Sequence, residues 1–165
     1  MLCIISKKLY NQANWYVRQD FFHLENLLRY QDLNFILQHS NNYKLLKAQT
    51  SQQILKIIDR NWKSFFNAIK EWKKGQEKFN GRPRPPKYKK DGYNLLIFTN
   101  QNSKITNNKI ILTMSKFFKK AFPEFEHPIE ITIPHYRNKN FECYQQIRIL
   151  PRKKFYEIEE YIKER

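Results

Sequence analysis

The sequence predicts an α+β protein, with a helical half followed by a small antiparallel β half. Three observations predict it. Ile54, Ile58, Trp62, Phe65, Ile69 and Trp72 recur at the three- and four-residue spacing of one helix face. Between Gly81 and Lys90 stand Pro83, Pro85 and Pro86, which remove amide donors and push their neighbours toward extended backbone. After Asn94, apolar residues come in short runs or alternate with polar ones, as in half-buried strands. The expected organisation is a helical region over 1–80, a basic proline-rich linker or hinge over 81–93, and a β region over 94–165.

The first helix rests on Leu9, Ala13, Tyr16, Val17, Leu24, Leu27 and Leu28, which share one stripe. Leu33, Ile36 and Leu37 predict a short second helix, broken by Ser40-Asn41-Asn42, whose side chains compete for local backbone. The long helix follows, with Leu55 and Phe66 widening its stripe. Thr50 or Ser51 is its expected N-cap, since a hydroxyl accepts from the first free amides. Gly75 is its expected stop, after Lys73 and Lys74 at the negative end of the helix dipole. The stripe of Trp62, Phe65, Phe66 and Trp72 is read as core and not as a base-stacking platform.

In the β region, 94–99 is a short apolar run. Lys104-Ile105-Thr106 and Lys109-Ile110-Ile111-Leu112 flank Asn107-Asn108, a pair that tolerates positive φ and suits a tight hairpin. Lys116–Phe122 predicts a helical turn. Ile129, Ile131 and Ile133 predict one strand, and Ile147 and Ile149, before Pro151, another. The tail 153–165 fits strand or helix.

The chain has 165 residues, of which 41% are hydrophobic and 16% aromatic, so a buried core is expected rather than a disordered tail. Thirty-one Lys and Arg against 15 Asp and Glu give a net charge of +16. An excess that large calls for a polyanion, most often nucleic acid. Three glycines leave little for a phosphate-cradling loop, and neither nucleotide-binding glycine motif occurs. Cys3 and Cys143 form no close pair; they are read as reduced thiols of a cytoplasmic protein. No apolar run reaches the length of a membrane span, and no basic amphipathic helix suggests a membrane surface.

No catalytic constellation stands out. His23, His39, His127 and His135 lie in no ligand spacing. Ser51 and Ser64 lie in no nucleophile elbow. The acids gather at Glu124/Glu126 and Glu157/Glu159/Glu160, not as the converging carboxylates of a two-metal nuclease. The expectation is therefore no catalytic residue, no metal and no cofactor.

Binding has more support. From Arg60 to Lys90 the chain carries Arg60, Lys63, Lys70, Lys73, Lys74, Lys78, Arg82, Arg84, Lys87, Lys89 and Lys90 against only Glu71 and Glu77. Proline pre-extends the segment from Arg82, so fewer rotors freeze when it lies along a phosphate backbone. Tyr88 and Tyr93 stand among these charges as stacking candidates.

Four blocks then carry a resemblance. Lys8-Leu9-Tyr10-Asn11-Gln12-Ala13-Asn14 with Arg18-Gln19 is the first. Ala48-Gln49-Thr50-Ser51-Gln52-Gln53, running into Asp59-Arg60-Asn61-Trp62-Lys63-Ser64-Phe65-Phe66, is the second. Gly81-Arg82-Pro83-Arg84-Pro85-Pro86-Lys87-Tyr88-Lys89 is the third, and Phe98-Thr99-Asn100 the fourth. Their order and spacing, from about Cys3 to about Arg152, resemble the TnpB-type (OrfB) transposon proteins, which are RNA-guided DNA nucleases related to the type V CRISPR effectors.

The resemblance implies a β-barrel wedge domain with a helical recognition insertion, binding guide RNA and reading a short motif beside a double-stranded DNA target. It covers only the N-terminal half of that family, so the RuvC nuclease domain and its zinc ribbon are not expected here, and the chain looks truncated at both ends. The implied activity is binding without cleavage. The alternatives are an inactive relic of a decayed transposon, or a non-catalytic subunit whose separate RuvC-type partner chain cuts. The resemblance also places motif reading at Tyr30, Gln52 and Thr99, with Lys47 and Gln49 nearby. Gln carries both a donor and an acceptor, as adenine pairing in a major groove requires.

Overall fold

The computed structural model describes residues 1–24, 26–90, 92–106, 109–125, 127–132 and 146–149. Five helices, α1 Leu2–His23, α2 Tyr30–Leu37, α3 Asn41–Leu45, α4 Ala48–Lys74 and α5 Lys116–Ala121, combine with five short strands. The strands are β1 Leu96–Thr99, β2 Ser103–Thr106, β3 Lys109–Leu112, β4 Ile129–Thr132 and β5 Gln146–Ile149. The mixed α+β class is as expected. The strands form two antiparallel sheets, β1–β5 and β2–β3–β4, and both are open among the described residues, with no closed barrel.

α1 buries Ile5, Leu9, Ala13 and Val17 on one stripe, together with Tyr10 and the polar Ser6 and Asn14. It ends at His23, earlier than the leucine pattern suggests. Leu24 is exposed, while Leu27 and Leu28 reach the core from the irregular segment before α2. α2 opens with the Arg29 amide donating to the Asp32 carboxylate at 2.8 Å. Ser40 does more than break that helix: its hydroxyl accepts from the Tyr43 amide and starts α3.

α4 begins at Ala48 with Lys47 as its N-cap residue, so neither Thr50 nor Ser51 caps it. Both are buried inside the first turn, where their hydroxyls have another use. Ser51 donates to the Tyr43 carbonyl at 2.9 Å, and Thr50 accepts from the Asn102 amide at 3.4 Å. Gly75 does end the helix, in extended rather than left-handed backbone. Ile54, Leu55, Ile58 and Trp62 are buried on its inner face. Phe65, Phe66, Ile69 and Trp72, toward the C-terminal end, are only partly buried, so the stripe is core for just its first half.

One cluster of buried side chains runs from Ile5 through the helices to Leu96, Phe98, Leu112, Met114 and Phe118, so β1, β3 and α5 share the helical core. Polar ties support this continuity. The Asn94 amide donates to the Cys3 carbonyl at 3.0 Å, and Ser6 donates to the Leu95 carbonyl at 2.7 Å. Ser115 caps α5 through the Phe118 amide and donates to the α3 carbonyls of Lys44 and Leu45.

The hairpin expectation holds for its strands, since Thr106 pairs with Lys109 and Ser103 with Leu112. β4 pairs with β3, but alternation there does not make a buried face: Ile131 is exposed. β5 pairs with β1, from Leu96↔Ile149 to Thr99↔Gln146. The turn residues 107–108, Ile133, Cys143, His135, Pro151 and the tail 153–165 lie outside the described residues.

The basic segment expected as a hinge is laid across the helices as an extended strap. Two positive-φ glycines bracket it, Gly81 at 146° and Gly92 at 56°, backbone that a side chain would strain. The Asn11 side chain clasps Lys89 twice: its amide donates to the Lys89 carbonyl at 3.0 Å, and its oxygen accepts from the Lys89 N–H at 2.8 Å. One turn on, Asn14 and Arg18 both donate to the Pro86 carbonyl at 3.1 Å. The Asn14 oxygen in turn accepts from the Trp62 indole N–H at 3.0 Å.

Asn14 has no solvent exposure. Truncation by Asn14→Ala orphans the buried Trp62 N–H, which costs about 1–3 kcal/mol. Asn11→Ala, at a more exposed position, should cost about 1 kcal/mol or less. Denaturant midpoints of the two variants against the parent check this order; an equal, small loss in both would show that the Asn14 network is not stabilising.

Candidate nucleic-acid interface

The strap backbone is occupied and its cationic side chains are not. Pro86 and Lys89 commit their carbonyls to α1, which fixes the segment, while Arg82, Arg84, Lys87, Lys89 and Lys90 are exposed. No ion pair among the described residues uses any of them. Aromatic rings seat some of these cations instead. The Arg82 guanidinium lies 5.8 Å from the Trp72 ring, and the Lys89 ammonium 5.3 Å from Tyr10. Arg18 stands between Phe22 and Tyr88, at 5.3 and 5.5 Å. A cation over a ring keeps its charge for an incoming anion, whereas one beside a carboxylate does not.

Lys63 shows the contrast. It pairs with Asp59 at 3.0 Å, and the same carboxylate receives Arg29 at 2.8 Å. Sequence spacing groups Lys63 with the strap cations; the structure pairs it within α4, one turn from Asp59, while Arg29 on that carboxylate ties α4 to the segment before α2.

Two clefts flank the strap. One, of about 490 Å³, lies between Tyr10, Asn61, Ser64 and Phe65 on the helices and Arg84, Lys87 and Lys89 on the strap. The other, of about 540 Å³, lies between Phe21, Phe22, Phe65, Phe66 and Ile69 and the strap residues Arg82 to Pro85. Periodicity does not reveal the aromatics of this second cleft: it assigns Phe65 and Phe66 to the core, continues the Leu9, Ala13 and Val17 stripe to Phe21, and leaves Phe22 off it. Their adjacency, at consecutive positions in two helices, is the signal the sequence does carry.

The residues named for motif reading gather at the start of α4. Thr99, at the end of β1, donates to the Gln49 side-chain oxygen at 3.2 Å. Gln52, one turn on, stands near the Tyr43 hydroxyl, which donates to Asn34 at 2.7 Å. Tyr30 lies close enough to Tyr43 for their phenolates to repel, and the Lys56 ammonium stands 5.2 Å over its ring. Lys47, at the N-cap position, is partly exposed. The structure thus joins Gln49 to Thr99 directly and places Gln52 and Tyr30 near Tyr43.

Among the described residues, no three or more His, Cys, Asp or Glu side chains gather as a metal site. No described helix is long and apolar enough to cross a membrane. Comparison with known proteins gave no match to any family model, curated protein or solved structure.

Burial raises the Tyr10 phenol above its ordinary pKa, against an opposing hydrogen bond from Asn61 at 3.1 Å. Tyr43 is raised mainly by burial too, with Gln52 opposing and Tyr30 reinforcing the shift. A folded-state pKa above the unfolded value of about 10 gives stability that is complete below pH 10 and is lost as pH rises through the folded value. Thermal midpoints should fall above pH 10, and Tyr43→Phe should fall less steeply there than the parent. A parent-like slope in Tyr43→Phe would assign the alkaline loss elsewhere.

Proposed function

We propose that this chain is a nucleic-acid-binding module, corresponding to the recognition and wedge regions of a TnpB-like protein. It binds guide RNA and the double-stranded DNA target beside a short motif, and it does not cut by itself. The observation that carries the reading is the strap, five exposed cations on a backbone already held by Asn11, Asn14 and Arg18. A fixed, extended row of charge meets phosphates without the entropy loss of first ordering the segment. The β region is read as wedge-like in this scheme.

On this reading, charge on the strap positions the polynucleotide, and the α4 start reads bases. Gln49 keeps its amide N–H groups while its oxygen serves Thr99, so it can donate to a base edge.

Salt titrations of binding to RNA and to duplex DNA test the role of the phosphates. The slope of log K against log salt should be steep in the parent. Replacing Arg82, Arg84, Lys87 and Lys89 by Gln should flatten it by about 0.7–0.9 for each phosphate that is no longer neutralised. Lys63→Gln, which removes an internally paired cation, should leave the slope unchanged. An unchanged slope in the strap variant reduces the strap to a spacer.

For base reading, Gln52→Ala should cost ~1–3 kcal/mol on the preferred motif and little on random duplex at one salt concentration. Equal losses on both duplexes remove Gln52 from motif reading.

A further inference from the structure

From the cleft between the ends of α1 and α4 and the strap, we infer a pocket for one unstacked base of a single-stranded polynucleotide, a reading that rests on the proposed nucleic-acid binding. The cleft encloses about 540 Å³, within the range that takes a small planar ligand. One wall is aromatic. Phe21 packs edge-on against Phe22 at 5.0 Å and against Phe66 at 5.3 Å, so these rings are braced against each other rather than stacked face to face. Phe22 carries the Arg18 guanidinium over its ring and is still 52% exposed. The strap side of the cleft is lined by Pro83 and Pro85, whose rings are compact, apolar and rigid.

Charge selects the occupant. Arg82 and Arg84 stand on the cleft lining, and none of its lining residues is a carboxylate. A purely apolar peptide would leave both guanidiniums unmatched. A nucleotide matches every part of the site: its base lies against the phenylalanine rings, and its phosphates meet the planar forks of the arginines. A base held in an intact duplex is stacked on its neighbours and cannot enter, so the pocket selects single strands or splayed-out nucleotides.

Phe22 is the residue to test because half of it is outside the core. The probes are a single-stranded oligouridylate, a strand of the same length whose bases are replaced by abasic sites, and a duplex. The parent should bind the intact strand at least about five-fold more tightly than the abasic one. Phe22→Leu, which keeps an apolar side chain and removes the ring, should weaken the intact strand by about 5- to 100-fold, while Phe22→Tyr stays near the parent. The abasic strand and the duplex should bind all three proteins alike.

Equal binding of intact and abasic strands by the parent overturns the pocket without any variant, and so does a Phe22→Leu protein that binds like the parent. If the pocket fails while strap substitution still flattens the salt slope, phosphate binding stands alone. If the parent binds neither strand at low salt, the nucleic-acid reading falls and takes the pocket with it.

Discussion

The side chain of Asn14 ties three parts of this chain together with one amide. It sits on α1, its oxygen receives the indole of Trp62 on α4, and its nitrogen donates to the Pro86 carbonyl on the strap. Asn14 has no solvent exposure and Trp62 almost none, so the bond between them has no water as an alternative partner. The packing of the two long helices and the course of the basic segment are therefore one decision. Arg18 reinforces it from the next turn by sharing the Pro86 carbonyl, and Asn11 from the previous one by pairing both ways with Lys89.

That arrangement settles what the charges can do. A row of cations on a loose linker loses conformational freedom whenever it binds. Here the ordering cost is met during folding, by hydrogen bonds to backbone that leave the cationic side chains out of ion pairs among the described residues. The net charge of +16 repels itself, and docking five of those cations along one strap adds to that repulsion. A bound polyanion relieves it. The aromatic cleft beneath the strap has the same origin: α4 outruns the hydrophobic core, and its last aromatic residues meet the prolines of the strap instead of other core side chains.

A second polar seam joins the helices to the strands. Thr50 and Ser51, buried in the first turn of α4, reach Asn102 and the Tyr43 carbonyl, and Thr99 reaches Gln49. Hydroxyls expected to cap a helix are used across element boundaries. Lys47 takes the N-cap position without a side-chain acceptor, leaving the first α4 amides uncapped by any side chain.

The α+β class, the long fourth helix and its end at Gly75, the short second helix, the helical turn after Ser115 and the β2–β3 pairing are all legible from periodicity and turn chemistry, because each depends on neighbours within a few residues. The extended backbone of the strap is legible too, since proline dictates it locally. Where the strap lies is not: that depends on Asn11, Asn14 and Arg18, about seventy residues earlier, finding its carbonyls. The early end of α1, the partial exposure of Phe65 and Phe66, and the exposed face of β4 are equally hidden, because helical or alternating spacing says which residues share a face and not what that face meets. The pairing of Lys63 with Asp59, one helical turn apart on α4, follows from their spacing; what the sequence hides is Arg29 joining that carboxylate, which needs the segment before α2 to pack on α4. The sequence by itself determined the charge, the element types and the row of basic residues; tertiary structure decided where the strap cations lie and what surface they line, because the strap is placed by contacts between residues far apart in the chain.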